Sequence, residues 1–451
     1  GSFALAENIP AKDAEVTRRL KAAGAVILGK TNLSQWAGYR TTDSYAGSSV
    51  GGTPHNPYDL TKSPAGSSSG SGIAMATSFA AVASPPGVCV ARLTQEIPEG
   101  LPGTVREIVT GGLRADDPSE DWEKDLRVDD LIARDKYDLA QFFKPFIDYQ
   151  KWQGKTWGLP SWGWTGQDGF LYNTQLLEAA GAKLPDPKSP DWTMAKLYDI
   201  VVQVGKYMQK TNGFGLWTTL PSSPGTTTFT RAFNGDKFSE DGKKAILTDP
   251  AAKEAMRWVY DLSNKEKVIA HAENMPKDIS ADQMFVNGQI AITHQGSLGV
   301  FNINKLNKDG ALKFQSVLFP KRKDGKRPSE LRGGTWNINA ASKATDQTWE
   351  FLKHIVSKDG ALAFNTMSGN QANVRPDIMK DKYFADPNFQ NYLENFEGAM
   401  VHIIPSNLRG MELDPVFAEK GNPWYFGKVG FEDGLKTWND ELQRILDQPE
   451  L

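Results

Sequence analysis

Residues 151–173, KWQGKTWGLPSWGWTGQDGFLYN, place the tightest limits on what this chain can fold into. Residues 155–159 and 169–173 read as two short extended runs, the second carrying Phe170, Leu171 and Tyr172. Pro160, Gly163 and Gly166 keep the residues between them out of any helix. That interval holds Trp162 and Trp164, then Gln167 and Asp168, on what reads as a loop fixed between strands. Large rings beside amide and carboxylate groups are what the wall of a site for a polar, flat-faced ligand requires. The same tryptophans would serve as core packing, and these residues alone leave the two readings open. Tyr172 and Asn173 then open a helical run, TQLLEAAG.

Length and charge narrow the class. The 451 residues suffice for two or three domains or one large two-lobed body. A formal net charge of -3 offers no basic field for nucleic acid. No apolar run reaches spanning length. Cys89 is the single cysteine, which excludes an intramolecular disulfide and a cysteine-based metal cluster. The five histidines never fall at metal-ligand spacing, so no metal and no cofactor are expected. The chain opens Gly-Ser without a basic-then-apolar leader, so an export signal is expected to be absent from it. The thirteen tryptophans concentrate after Trp122.

The first 84 residues differ in character. DAEVTRRLKAAG (13–24) reads as a helix with Val16, Leu20 and Ala23 on one face and Gly24 as its stop. AVIL (25–28) reads as a short buried strand, and a small-residue helix is expected from Ile73. With the Gly- and Ser-rich run between them, GAVILGKTNLSQWA and GGTPHNPYDLTKSPAGSSSGSGIAMATSFAAVA resemble the amidase signature family, whose Ser–cis-Ser–Lys triad cleaves amides. The resemblance puts the bridging serine at Ser67. The family's lysine motif lies upstream of GAVILGKTN, and neither Lys12 nor Lys30 stands in such a motif. At the place of the nucleophile turn the chain reads SPPGVCVARL, with Ala91 where the serine belongs. A hydroxyl without an adjacent base is not a nucleophile, and Cys89 has no histidine near it in sequence. Residues 85–120 are turn-rich, without a clear period, and read as a junction.

From about residue 121 the text changes. DLRVDDLIARDKYDLAQFFKPFIDYQKWQGKTWGLPSWGW, FLYNTQLLEAAGAKLPDP and WTMAKLYDIVVQVGK resemble, phrase by phrase, the extracellular solute-binding proteins of ATP-driven importers. The resemblance continues through an amphipathic helix at 247–262, a helix end, turn, strand and Gly-Ser turn at 284–301, a strand and helix at 333–365, and a closing helix at 434–446. It implies an α/β, two-lobed fold of the type II periplasmic-binding-protein kind, with a hinge and an interlobe cleft. That family begins with a strand–helix–strand portion, here replaced by the amidase-like piece and the junction. Residues 1–119 are therefore expected to occupy the first lobe and pair with its sheet, so that no exposed sheet edge is left.

Sugars offer hydroxyl rims and weakly apolar C–H faces, so a site for one wants rings to stack on and amides, carboxylates or Arg at the rim. Strand-end stretches supply them: Trp162, Trp164 and Asp168; Trp217 in GFGLWTT; Gln295 and Ser297 in THQGS; Trp336 and Asn337 in GGTWN; and Arg375 in NQANVRP as a charged donor. Trp258 and Trp349 lie on amphipathic helices and read as core. No acidic pair stands on a loop at glycosidase spacing. The expectation is a binding protein, not an enzyme, that takes a small solute, a mono- or oligosaccharide, to the membrane permease of an ABC importer. It is expected to be a monomer, periplasmic or anchored at the cell surface as a lipoprotein. The alternative is an amidase acting through the N-terminal segment.

Overall fold

The computed structural model describes residues 127–152, 154–338, 345–362, 373–401 and 409–449, with residues 403 and 405–407. Of the first 126 it describes 25–33, 82–84, 88–93 and a few single positions. The expected helix at 13–24 and Ser67 lie outside the described residues.

Strand β1 (Ala25–Lys30) pairs antiparallel with β3 (Val88–Leu93), and β2 (Val82–Ser84) pairs with the other side of β3. These strands form a sheet of their own and, among the described residues, add no strand to either sheet below. Pairing of the N-terminal strands with the first-lobe sheet is thus not what the described residues show. Val88–Leu93, read as junction, is β1's partner instead.

The helical period and the capping residues place the remaining elements. Helix α1 is Asp129–Asp135 and α2 is Lys144–Tyr149. The hairpin β4 (Lys151–Trp152) and β5 (Lys155–Thr156) leads into β6 (Gly158–Trp164) and β7 (Gly169–Asn173). Asn173 caps α3 (Thr174–Ala179), its side chain accepting from Leu176 N. Then follow α4 (Met194–Met208), β8 (Phe214–Trp217), α5 (Ser223–Ala232), and α6 (Pro250–Tyr260) with its proline in the first turn. Next are β9 (Ile269–Ala270), α7 (Ala281–Val286), β10 (Ile290–Gln295), α8 (Ser297–Leu306), β11 (Phe314–Leu318), β12 (Arg332–Asn337) and α9 (Thr345–Ile355). Helices α10 (Gly410–Tyr425) and α11 (Phe431–Leu446) close the chain.

Five strands in the order β11-β7-β10-β8-β9 form the sheet of the larger lobe. Strands β8, β9 and β10 run parallel, and β7 is antiparallel to both of its neighbours. All five residues of β7 are buried, as a strand covered on both faces requires. One face packs against α4, α6, α10 and α11 through residues such as Leu197, Val201, Val259, Phe417, Trp438 and Leu442. The indole of Trp258 donates to Met194 O at 3.1 Å and that of Trp192 to Leu318 O at 2.9 Å, so these buried rings leave no unmet donor. Trp258 and Trp349 are core, as their helical spacing predicts.

The smaller lobe is built on an antiparallel ladder of β6 and β12. Phe142, Phe143, Phe146, Trp349 and Leu352 fill the space between the ladder, α2 and α9. Its core is continuous with the far face of the larger sheet, since Phe143 and Phe146 share one buried cluster with Leu171, Ile290 and Leu318. Among the described residues the chain passes between the lobes three times: at 165–168 from β6 to β7, at 319–331 from β11 back to β12, and again between α9 and α10.

Candidate ligand site

Trp162 and Trp164 stand on strand β6, not on a loop between strands. Pairing with β12 compensates for the proline and the two glycines that the local sequence reads as breakers. Trp162 lies opposite Gly334 and Trp164 opposite Arg332, while Thr335 pairs with Pro160 and leaves Ser161 as a bulge. Strand alternation then sorts the side chains. Between the two tryptophans Gly163 faces Phe146 so closely that an added Cβ would meet Phe146 Cε1 at 2.0 Å. The rings of Trp162 and Trp164 therefore project from the other face. On β12 that face carries Arg332, Gly334 and Trp336. Trp162, Trp164 and Trp336 are all half-buried and line one side of the ladder.

Asn337 falls on the opposite face, where Thr335 Oγ1 donates to its Oδ1 at 2.9 Å, and it is buried. Trp336 and Asn337, adjacent in sequence, cannot serve one ligand surface. Arg332, which sequence reasoning passed over, does lie on the tryptophan face. The alternation Arg-Gly-Gly-Thr-Trp was the signal that could have found it.

The larger lobe meets this face at the carboxyl ends of its parallel strands, where open α/β sheets bind ligands. Those ends are Trp217 on β8, Ala270 on β9 and Gln295 on β10. Trp217 is half-buried, like the ladder tryptophans. A Cβ added to Gly296 would lie 3.5 Å from Trp164 Nε1 and 2.1 Å from Gly166 O, so the start of α8 sits against the end of β6. The Gly-Ser turn expected here is the N-terminus of a helix, with Gly296 at the cap and no side chain capping it. Gln295 is turned away, its Nε2 donating to Asp282 Oδ1 at 2.8 Å.

Around Gly166 lies a run of buried polar atoms: Gln167 Oε1 and Ser297 Oγ have no hydrogen-bond partner among the described residues, and the side chains of Thr165 and Asp168 are linked only weakly to each other. Buried polar groups are normally satisfied, so such a run calls for water or a polar ligand. Asp168 is fully buried, and Asn395 Nδ2 donates to its Oδ2 at 2.6 Å. Burial pushes its carboxyl up to about 7, an effect that hydrogen bonding with Thr165 and Asn395 offsets only in part. His294 pins the same segment: its Nε2 donates to Gln167 O at 2.7 Å and its Nδ1 accepts from Thr219 Oγ1 at 3.2 Å. Burial among Phe170, Phe229 and Phe319 lowers this imidazole to about 3 and keeps it neutral.

Arg375 is committed elsewhere. Its Nε and Nη2 fork onto Asp377, and Nη1 donates to Gln141 Oε1 and Val356 O, with the guanidinium over the Phe142 ring. It fastens the smaller lobe's core. Just past the amidase-like part, Ala91 and Cys89 lie within strand β3, Cys89 paired with Gly29 and Ala83, and not in a nucleophile turn.

A family model described as bacterial extracellular solute-binding protein matches residues 92–391, beginning inside the stretch read as a junction. A model described as amidase matches residues 1–84. Among solved structures, the sugar-binding protein MalE of Xanthomonas citri is similar at 16% identity and TM-score 0.60, over 72% of this chain and 79% of that one. A solute-binding protein of Thermotoga lettingae bound with alpha-D-tagatose matches at 20% identity and TM-score 0.57, over 74% and 83%. Maltose-bound MalE3 of T. maritima matches at 19% identity and TM-score 0.57, over 77% and 90%. These likenesses show the two-lobed fold of the type II periplasmic binding proteins. A probable amidase of Arabidopsis thaliana is 48% identical over 83 residues, 18% of this chain and 16% of its own length. The chain thus spans about one sixth of that relative.

Proposed function

The chain belongs to the bacterial extracellular solute-binding proteins, and we propose that its solute is a carbohydrate, a mono- or oligosaccharide, held between the two lobes and passed to the membrane permease of an ABC importer. The observation that carries this reading is the face of Trp162, Trp164 and Trp336, with the buried oxygens of Gln167 and Ser297, which have no partner among the described residues, and of Thr165 and Asp168 at the β6 end of the ladder. Rings take the C–H faces of a sugar, and the oxygens and the first N–H groups of α8, which no side chain caps, take its hydroxyls. Trp217, half-buried at the end of β8, offers a further ring from the larger lobe. Proteins of the same fold are bound with tagatose and maltose. Closure of the lobes is driven by the higher affinity of the closed state, and no bond is made or broken. The reading places the protein outside the cytoplasm, as a monomer in the periplasm or at the cell surface. Among the described residues no helix is long and apolar enough to cross a membrane.

Tryptophan fluorescence titrated with maltose, longer maltooligosaccharides, tagatose, polyols and peptides tests the assignment. One saccharide class is expected to bind with Kd about 1 μM or tighter, about -8 kcal/mol. Trp164→Ala is expected to weaken it at least about tenfold, ~1.4 kcal/mol. Binding of peptides or amino acids alone would overturn the carbohydrate reading and leave the family membership intact.

A further inference from the structure

The larger lobe holds two of the three links between the lobes through one side chain. Arg231, on α5, is 2% exposed. Its Nε donates to Asp236 Oδ2 at 2.7 Å, and its Nη1 to Ser329 O at 2.5 Å and Met400 O at 3.2 Å. Its Nη2 donates to Val401 O at 3.0 Å. Ser329 belongs to the link from β11 to β12, and Met400 and Val401 to the link between α9 and α10. The two links are also tied to each other, Leu331 N donating to Met400 O at 2.7 Å and Met400 N to Ser329 Oγ at 2.9 Å. A planar guanidinium reaches three carbonyls in two segments at once, and a lysine ammonium on a flexible stem does not reproduce that fork. Nearby, Lys237 Nζ donates to Ser223 Oγ at 2.6 Å and lies 3.4 Å from Glu330 Oε1, so the same unit grips the β11–β12 link a second time.

The third link is held differently. Glu330 N donates to Thr165 O at 2.9 Å, and Gly166 beside it has φ +91°, in the region that favours glycine. Arg231 makes no contact with this link. Arg231 thus fixes 329 and 400–401 to α5, while the first link is held on either side of Gly166 by Glu330 N on Thr165 O and by His294 on Gln167 O.

We infer that Arg231 is a positioning residue for solute capture: by clamping two interlobe links to α5 it sets the resting angle between the lobes, and with it the fraction of molecules whose cleft is open. Its effect on affinity rests on the reading of the chain as a solute-capturing protein. The angle itself is measurable without any solute.

The test places spin labels on cysteines substituted for Lys144 on α2 and Lys436 on α11, both well exposed, in a Cys89→Ser background. Pulsed EPR on the full chain without solute then reads the interlobe distance. Arg231→Lys, which keeps the charge and loses the fork, is expected to shift or broaden the distribution; a lobe rotation of about 15° acting roughly 20 Å from the pivot moves a label about 5 Å. A variant that unfolds cooperatively but gives the wild-type distribution would reduce Arg231 to a core stabiliser and overturn the inference. Should Arg231→Lys fail to fold, Asp236→Asn, which removes only the partner of Nε, is expected to broaden the distribution, and an unchanged one overturns the inference equally. Addition of maltose separates the two ideas. A protein indifferent to every saccharide while its lobe angle follows Arg231 refutes the carbohydrate reading and not this one.

Discussion

Replacing Asp168 with asparagine should stabilise this protein in a pH-dependent way. Asp168 is fully buried where the first link enters β7, and burial holds its carboxyl at about 7, against an ordinary value of 3.8. A carboxyl whose folded pKa lies above its unfolded value binds its proton more tightly in the folded state. Its contribution to stability is fully present below the unfolded value and is lost as pH rises toward the folded one. The gap is about three units, which at ~1.4 kcal/mol per unit is a loss of about 4 kcal/mol, some 2 of them between pH 5 and pH 7. Asparagine cannot ionise, and its side-chain oxygen keeps the bond from Asn395 Nδ2. Urea unfolding of both proteins at pH 5 and pH 8, followed by circular dichroism, should show the variant's advantage to be larger at pH 8 by about 3 kcal/mol. His294, common to both, cancels in the difference. An advantage that is the same at the two pH values would mean that Asp168 ionises as a solvated group does, and would remove it from the buried position on which the site depends.

The close approach of Gly163 to Phe146 makes Gly163→Ala an overpacking change, expected to cost about 1–3 kcal/mol in urea unfolding and to be partly relieved by Phe146→Leu. Arg375→Ala strips Asp377, Gln141 and Val356 O of their donor and is expected to cost about 2–3 kcal/mol of stability. It should leave saccharide affinity within about twofold, and a loss of affinity at retained stability would instead place the guanidinium on the solute. The full chain is expected not to hydrolyse small aryl or peptide amides, since Ala91 stands at the nucleophile position. Turnover that disappears in Ser67→Ala would refute this.

Local patterns were legible in the sequence because their physical cause is local. Gly169–Asn173 reads as a strand from its apolar run, Asn173 reads as the start of a helix because its own side chain caps it, and Pro250 marks the first turn of α6. Trp258 and Trp349 read as core because helical spacing alone puts them on an apolar face. The carriers of the site were legible as residue types but not as a surface. Val88–Leu93 looks like a junction until β1 pairs with it, and β6 looks broken at Pro160 and Gly163 until β12 supplies its hydrogen bonds. Which face each ring takes follows from that pairing and from the bulge at Ser161. It unites Trp162, Trp164 and Trp336, brings in Arg332, and sets Asn337 apart. Gln295 and Arg375 carry groups a sugar could use, but Asp282 in one case and Asp377 with Gln141 in the other had already engaged them. A side chain's type is written at its own position, whereas its partner and its direction are fixed by strands and helices far away along the chain.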